Sequence, residues 1–359
     1  MRTSPIFSDA AESNWRPAKQ PLWDYLALLY TLGSYGLGIG LLGSPSFALN
    51  GLGVITLTHS LVLSAYVAHE CMHGNNFSTP EWRAMVGNLM LWLSGSCYVR
   101  FQVLAKMHID HHVNRIDYSR FDIPGFLEST SPRLRSLILA LEWGYIPVLA
   151  ILLRMGLILS AFRYPQFNGD RPRILALLLL RGGLFIAITL WSVKAMGLYC
   201  LAYGAMIHCL RLMDGFQHTY DSLPPGSPIP ENHQRLSASA AQAYEQSHTF
   251  SNVLSIRYPW LNGLLLNFGY HNAHHRMMTC PWYQLPALDR RLTVKGEQPD
   301  YYIPILSLLS NYHRFRVSRI FTGQGGLTDE QGNRNLKSFY GATEVSFLIV
   351  PVNQPGGDP

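Results

Sequence analysis

The sequence predicts an all-α integral membrane protein with four transmembrane helices and additional interfacial helices. Three observations lead to this prediction. Only 14% of the 359 residues are charged and 48% are hydrophobic, whereas about 25% of residues are charged in globular proteins. Four apolar segments have about the twenty residues that a bilayer crossing requires. Eight of the fourteen histidines fall in three short windows.

The chain divides into three predicted parts. Residues 1–22 form a polar N-terminal lead, residues 23–290 form a membrane domain, and residues 291–359 form a cytosolic C-terminal segment with a flexible, glycine-rich tail. The last two spans of the membrane domain make a tight helical pair. The predicted spans lie at about 23–46, 51–72, 173–193 and 195–212.

Two further apolar segments are expected to lie beside the membrane spans rather than to cross the bilayer. A crossing by residues 84–103 would place the first and second histidine windows on opposite sides of the membrane. We therefore predict an interfacial or re-entrant helix there. Residues 134–162 contain Glu142, Pro147 and Arg154, and we predict that they form an amphipathic helix in the membrane interface.

The charges indicate how the chain is oriented. In this topology Lys194 is the only Lys or Arg in an outer loop, so the positive-inside rule places the histidine windows on the cytoplasmic side. Arg181 lies inside the third span, where an ionisable residue needs a partner or a function. The net charge of +6 is spread along the chain, which argues against a nucleic-acid partner. The five cysteines have no CxxC spacing, as expected in a reducing compartment.

The three histidine windows have nearly the same pattern. They read His69-Glu-Cys-Met-His73, His108-Ile-Asp-His111-His112 and His271-Asn-Ala-His274-His275. Residues three and four apart on a helix share one face, so the histidines of each window are expected to aim at one point. Imidazole binds iron, copper, zinc and nickel. Eight imidazoles are too many for one tetrahedral zinc ion, and the pattern therefore predicts two metal ions.

These windows and their surroundings resemble the histidine boxes of the membrane fatty-acid desaturase family, a branch of the histidine-box di-iron proteins. The first box continues into Gly74 and follows a hydrophobic pair of segments. The third box precedes Pro281-Trp-Tyr-Gln-Leu-Pro286, which is similar to the aromatic-Leu-Pro stretch of the family. Phe216-Gln217-His218-Thr219 looks like the family's extra-histidine segment. The resemblance covers roughly residues 50–290.

The resemblance implies four spans with a cytosolic cap, two iron ions, O2 as co-substrate, and a ferredoxin or reductase as a separate electron donor. His218 is the ninth implied ligand, and His248 competes for that place. Asp214 and Asp110 are the predicted carboxylates that orient an imidazole or hold a bound water. The implied metal ligands are His69, His73, His108, His111, His112, His218, His271, His274 and His275.

The predicted activity is the O2-dependent oxidation of an unactivated C–H bond in a fatty acid or fatty-acyl chain, with desaturation as the first choice. The alternatives within the same chemistry are hydroxylation and the decarboxylation of a free fatty acid to a terminal alkene. Arg100, Lys106, Arg115 and Arg276 lie near the boxes and could hold a head group or lipid phosphates. We expect the protein in a bacterial cytoplasmic membrane.

Two schemes outside the desaturase resemblance stay open at this point. Glu70-Cys-Met-His73 and Glu245-Gln-Ser-His248 have the ExxH spacing of ferritin-like di-iron bundles. A membrane protein that binds or transports metal ions is an alternative of another class. The histidines of a transporter should line its spans near the middle of the membrane.

Overall fold

A computed structural model of the chain describes residues 19–118, 122–223, 227–228, 236–293, 300–323, 325–327 and 335–343. Residues 1–18 of the predicted polar lead and residues 344–359 of the predicted flexible tail lie outside the described residues. The predicted domain borders near residues 22 and 290 stay predictions.

The first membrane hairpin consists of helices α1 (Pro21–Leu42) and α2 (Phe47–His73). The side-chain amide of Asn50 closes the turn between them by donating to the carbonyl oxygens of Leu41, Leu42 and Ser44. The 27 residues of α2 reach about 40 Å at 1.5 Å per residue. Because the hydrocarbon core of a bilayer is about 30 Å thick, the last turn of α2 has room to extend beyond the core.

Helices α3 (Pro80–Ser94) and α4 (Phe101–Asn114) follow α2. The 15 residues of α3 span only about 22 Å, which is too short for a crossing. The helix ends at Gly95, whose φ of 76° is a conformation that glycine adopts without a steric penalty. Helix α4 ends at Arg115, after which the chain turns into the short strand β1 (Asp117–Tyr118).

The next helices are α5 (Ile123–Ser129), α6 (Pro132–Trp143) and α7 (Val148–Arg163). The prediction of one amphipathic helix over residues 134–162 is wrong, because α6 and α7 are bent by 117° at a break. Pro147 lies in this break, where it lacks a backbone N–H and disfavours a helical residue before it. The Glu142 carboxylate accepts the backbone N–H of Leu149 at 2.8 Å and thereby caps α7.

The second membrane hairpin consists of α8 (Arg171–Trp191), preceded by a 3-10 turn (Pro165–Asp170), and α9 (Val193–Asp214). The hydroxyl of Ser192 caps α9 by accepting the backbone N–H of Ala195 at 3.2 Å. Lys194 donates to the side-chain oxygen of Asn50 at 2.9 Å. This bond joins the turns of the two hairpins.

The C-terminal end of α3 lies beside the membrane helices α8 and α9. The guanidinium group of Arg181 donates to the backbone carbonyl of Trp92, and the Tyr203 hydroxyl donates to the carbonyl of Ser94 at 3.1 Å. Arg181 and Tyr203 lie near the middle of α8 and α9, so the last turn of α3 is held at that depth. The geometry is that of a re-entrant helix. The cation of Arg181 lies at the C-terminal end of α3, which is the negative end of the dipole of that helix.

The cap begins where α9 ends. Strand β2 (Ser222–Leu223) pairs in parallel with β1, and Phe216, Phe250, Leu308 and Phe339 share a buried core. This packing connects the end of α9 to the third histidine window and to the C-terminal helices. The cap helices are α10 (Ala238–His248), α11 (His271–Arg276), α12 (Leu285–Leu292), α13 (Ile305–Arg314) and α14 (Arg319–Thr322).

Among the residues that the structure describes, four helical segments are long and apolar enough to cross a membrane, and α6 and α7 pass that test only when they are joined as one bent pair. The predicted all-α fold with four membrane spans is therefore confirmed, and the chain is an integral membrane protein. The third span begins at Pro165 rather than near residue 173. The four segments are Pro21–Leu42, Phe47–His73, Pro165–Trp191 and Val193–Asp214.

Candidate metal centre

Four separate parts of the chain bring histidines to one place. His69 and His73 lie in the last turns of α2, and the second window lies on α4. The third window forms the short helix α11, and His218 follows α9. Eight of these nine side chains are buried, and His111 is half-buried.

We call the first set of histidines the five-histidine group. Each of its residues offers one ring nitrogen as a ligand atom, and these nitrogens all lie within 4.8 Å of one another. The Nε2 atoms of His73 and His108 are 2.8 Å apart, and the separations are 3.3 Å for His69 and His73 and 3.2 Å for His108 and His112. A metal–imidazole bond of about 2.1 Å sets neighbouring ligand nitrogens roughly 3.0–3.4 Å apart. The group consists of His69, His73, His108, His112 and His274.

The second set, which we call the four-histidine group, comes from two overlapping clusters that share His275. One cluster joins His275 to His111 and His112, and the other joins it to His218 and His271. The Nε2 atoms of His218 and His271 are 2.7 Å apart. The rings of His111 and His218 have centroids 4.6 Å apart. We define the group as His111, His218, His271 and His275, because His112 also belongs to the five-histidine group.

The second and third windows each contribute to both groups, so the expectation that each window aims at one point is wrong for them. His108 and His112 are four residues apart and share a helix face, but His111 and His112 are adjacent. Adjacent residues on an α-helix point about 100° apart. His112 nevertheless lies in clusters with both His108 and His111, whereas the adjacent residues His274 and His275 lie in different clusters.

Burial keeps these imidazoles neutral. Burial, followed by the neighbouring imidazoles, holds the pKa values of His108, His112, His218, His271 and His275 well below the usual value. Burial and His111 lower the pKa of His274 to about 3. A neutral imidazole offers a lone pair to a metal ion, whereas an imidazolium does not.

Unpartnered nitrogens test whether a metal fits. In the part of the chain that the structure describes, both ring nitrogens of His274 and the Nε2 atom of His275 are buried without a hydrogen-bond partner. A buried polar atom without a partner costs free energy, and a metal ion would remove that cost. Five convergent imidazoles exceed the four ligands of structural zinc. The donors therefore fit two transition-metal ions that accept several nitrogen ligands.

Three carboxylates contact the outer nitrogens of ligand histidines. Glu245 accepts from Nδ1 of His275 at 3.2 Å, and Asp117 lies 3.1 Å from Nδ1 of His111. Glu70 lies 3.4 Å from Nδ1 of His69. A proton held on Nδ1 leaves Nε2 as the ligand atom.

The carboxylates named from the sequence occupy other positions. Asp110 is half-buried, and among the described residues it makes no hydrogen bond or ion pair with the nine histidines. Asp214 is buried, and neither carboxylate oxygen has a hydrogen-bond partner within the described ranges. Both roles stay predictions, and for Asp214 the unpartnered oxygens fit the expected bound water.

Sequence reasoning missed the contact of Glu245 with His275, although Glu245 was visible as part of an ExxH pattern. Glu245 also accepts from Nε of Arg115 at 3.2 Å, so Arg115 pairs with a protein carboxylate. This ion pair leaves less reason to assign Arg115 to a substrate head group. Burial raises the pKa of Glu245, and Arg115 opposes this shift.

His248 lies apart from the two groups. Its Nδ1 atom is 2.9 Å from the Tyr244 carbonyl oxygen, and its ring stacks on Tyr244 with a centroid distance of 4.1 Å. In the described ranges, every cluster of three or more potential ligands consists of histidines alone. This arrangement offers no support for the ferritin-like scheme, which requires carboxylate ligands.

The fold and the site together define an integral membrane protein with a histidine-rich metal centre. Residues 45–308 match the family model for fatty acid desaturase, and the chain belongs to this family. A search of curated proteins found no match to the chain. Family membership supports the assignment of an oxidoreductase that acts on fatty acids.

Proposed function

We propose that this protein is an O2-dependent di-iron oxidase that desaturates a fatty acid or fatty-acyl chain with electrons from a separate ferredoxin or reductase. The observation that carries the proposal is the convergence of nine imidazoles from four parts of the chain into two adjoining groups. The family match supplies the substrate class.

The proposed ligand assignment gives each group one iron ion. The five-histidine group holds the first ion, and the four-histidine group holds the second. His112 and His275 belong to more than one cluster, and their ring centroids are 4.0 Å apart. These two residues therefore lie where the two proposed ion sites adjoin.

Neighbouring oxygen atoms orient three of the proposed ligands. Glu245 holds the Nδ1 proton of His275, and the carbonyl oxygen of Ile116 lies 2.8 Å from Nδ1 of His111. The carboxylates of Asp117 and Glu70 lie beside His111 and His69, so that Nε2 of each ring faces the proposed ions. Arg115 in turn holds Glu245. Asp214 is proposed to bind an ordered water near His218, and Asp110 is the weaker candidate for a similar role.

When bound, the two iron ions supply the O2-dependent oxidation of an unactivated C–H bond. The residues of the chain hold the metal ligands neutral and exclude solvent from them. Below His69, the buried ring of Tyr66 stacks on Phe268 with a centroid distance of 4.2 Å, and Phe268 contacts the rings of His69 and His271. This aromatic pair covers one side of the histidine rings with apolar surface.

The position of the histidines favours an enzyme over a metal transporter. A transport pathway should place its ligands along the spans near the middle of the membrane. Here His69 and His73 lie in the last turns of α2, and the other seven lie on the cap side of the spans. The distribution of Lys and Arg supports a cytoplasmic location of this side in a bacterial inner membrane.

The test is an assay of purified full-length protein loaded with Fe2+ and supplied with O2 and a reduced ferredoxin. A free fatty acid and its acyl thioester are offered separately, and the products are identified by mass spectrometry. We expect two iron ions per chain and a product that has lost two hydrogens. His111→Ala should abolish both the full iron content and the product, whereas His313→Ala, which changes an exposed histidine outside the groups, should retain both.

Other products would redirect the proposal. A terminal alkene one carbon shorter than the acid would identify a decarboxylase, and an alcohol would identify a hydroxylase. Iron binding without any oxidised lipid would favour a metal-binding protein. Active material that holds a single zinc ion would exclude the di-iron assignment.

A further inference from the structure

A loop of the cap reaches an unexpected position beside the membrane helices. Residues 255–267, which we call the 255–267 loop, precede the third histidine window and contain a short 3-10 helix, Pro259–Leu265. Between Arg257 and Arg276 the chain has no Asp, Glu, Lys or Arg. The exposed fractions of Ile256, Tyr258, Trp260 and Leu264 are 55%, 48%, 72% and 48%. An apolar surface of this kind requires a partner.

Contacts with α1 and α2 locate the tip of this loop. The Leu264 carbonyl oxygen accepts from Nε2 of His59 at 2.7 Å, since a carbonyl can only accept. In the neutral ring of His59, Nδ1 is then an acceptor, and it accepts a hydrogen bond from the Tyr30 hydroxyl at 2.9 Å. His59 thus links both helices of the first hairpin to the loop.

The depth of His59 follows from the length of α2. His59 lies twelve residues, or about 18 Å, from the Phe47 end of a helix that is about 40 Å long. A hydrocarbon core of about 30 Å must fit within that length if α2 follows the bilayer normal. Wherever the core is placed, its cap-side boundary lies at least about 12 Å from His59. The Leu264 carbonyl therefore lies well inside the hydrocarbon layer.

Helix α1 gives a second measure of this depth. Tyr30 lies nine residues, or about 13 Å, from the cap-side start of α1. Because the 22 residues of α1 extend about 33 Å, the core occupies nearly the whole helix. Tyr30 is therefore at least about 10 Å below the cap-side boundary, in agreement with the depth of His59.

The backbone of the 255–267 loop suits a lipid environment, because its polar groups are largely satisfied within the protein. The buried side chain of Asn262 accepts the Ser255 N–H at 3.2 Å and donates to the Ser255 carbonyl at 2.8 Å. Backbone bonds from Leu266 to Gly263 and from Asn267 to Asn262 close the turn. Non-helical backbone is tolerated at membrane depth only with such bonding.

From the depth, the missing charges and the closed backbone we propose that the 255–267 loop is a re-entrant membrane anchor whose partner is the acyl-chain region of the surrounding bilayer. Its outer face continues the lipid-facing surface of α1, where Leu26, Leu29 and Tyr30 are exposed. Arg257 stands at its start, where a cation can meet anionic head groups. The anchor leads directly into Phe268 and the third histidine window.

Depth-resolved fluorescence quenching tests this proposal on full-length protein in vesicles of phosphatidylethanolamine and phosphatidylglycerol. The vesicles carry bromines near the methyl ends or near the head-group ends of their acyl chains, and acrylamide is the quencher in water. The protein has eight tryptophans. The contributions of Trp260 and Trp23 to the fluorescence are obtained by comparing Trp260→Phe and Trp23→Phe with the unchanged protein. Trp23 is the matched control, because it lies two residues from the cap-side start of α1.

We expect Trp260→Phe to reduce quenching by the deep bromines and to leave acrylamide quenching unchanged, while Trp23→Phe reduces quenching by the shallow bromines. If Trp260 contributes to acrylamide quenching instead, the loop lies in water and the proposal is wrong. If its emission responds to neither quencher, protein covers the loop, and this result would also overturn the proposal. Iron content and chromatographic behaviour identify any variant that fails to fold.

A benzoylphenylalanine at position 260 provides a second measurement, in which lipid adducts support the anchor and a cross-linked second chain contradicts it.

Discussion

The two histidine groups are built in different ways. The five-histidine group takes all of its ligands from the helices α2, α4 and α11, and in the described part of the chain the carboxylate of Glu70 contacts it. The four-histidine group includes His218, which lies beyond the end of α9, and both Asp117 and Glu245 contact it. Within the described residues, the group with fewer imidazoles therefore has more carboxylates beside it.

This difference indicates how each proposed ion site depends on folding. Helical spacing sets two pairs within the five-histidine group, His69 with His73 and His108 with His112. The four-histidine group requires the pairing of β1 with β2 and the bridge between His218 and Thr249, which bring distant parts of the chain together. Metal binding and folding are coupled where ligands come from separate segments, so we expect the four-histidine site to be the more easily lost.

The largest expected effect comes from removing one ligand from each group. His218→Ala leaves three imidazoles in its group, whereas His274→Ala leaves four. We expect His218→Ala to lower the iron content from two ions toward one per chain. Turnover should fall by more than about 100-fold, because removal of a ligand should exceed the effect of removing a residue that only contacts a ligand. His274→Ala should retain most of its iron. Metal analysis and product assays of the two purified variants check this order.

An equal loss of iron in the two variants would remove the basis of the comparison. It would mean that the nitrogens of His274 are as important to the centre as those of His218. Circular dichroism of each variant controls for misfolding, since an unfolded chain would lose both ions.

A smaller effect is expected from the carboxylates. Glu245→Gln keeps an acceptor for His275 but removes the negative charge, and contacts of this kind change metal affinity or activity by about 10–100-fold. Glu70→Gln is the matched variant in the other group. Its effect should be smaller, because Glu70 lies farther from its histidine and also accepts the backbone N–H of Trp282 at 3.3 Å. Competition with an iron chelator measures both affinities.

The contrary result for this pair is a greater loss of affinity in Glu70→Gln. Such a result would place the stronger carboxylate effect at the five-histidine group. An Arg115→Met variant distinguishes the charge of Glu245 from its position, because the ion pair is lost while the carboxylate stays.

The spans and the histidine boxes were predictable because their signals are local. An apolar run of about twenty residues indicates a crossing wherever it folds, and boxes of closely spaced histidines indicate shared faces. The division of the second box is less local, because His112 lies in clusters with both His108 and His111. Pro147 is a local signal for the break between α6 and α7, whereas the apolar character of the segment favours one continuous helix.

The carboxylate contacts were harder to predict because they depend on tertiary structure. Asp110 was favoured since it lies inside a box, yet it is two residues from both His108 and His112. On a helix that spacing turns it about 200° away from them. Asp117 reaches His111 only because the chain reverses at Arg115, whose φ is 56°. Glu245 lies thirty residues before His275, and only the packed cap brings them together.

The smallest expected effect concerns the ninth ligand. His248→Ala removes a hydrogen bond to the Tyr244 carbonyl and a ring stack on Tyr244, so we expect a loss of about 1 kcal/mol or less in the free energy of unfolding. The iron content should stay at two ions per chain, because the ring is directed toward Tyr244 and the Ser247 hydroxyl. Thermal unfolding and metal analysis measure the two quantities. Loss of one ion in His248→Ala, together with retention of two ions in His218→Ala, would exchange the two histidines. The four-histidine group would then take its fourth ligand from α10, and its dependence on the segment after α9 would no longer follow.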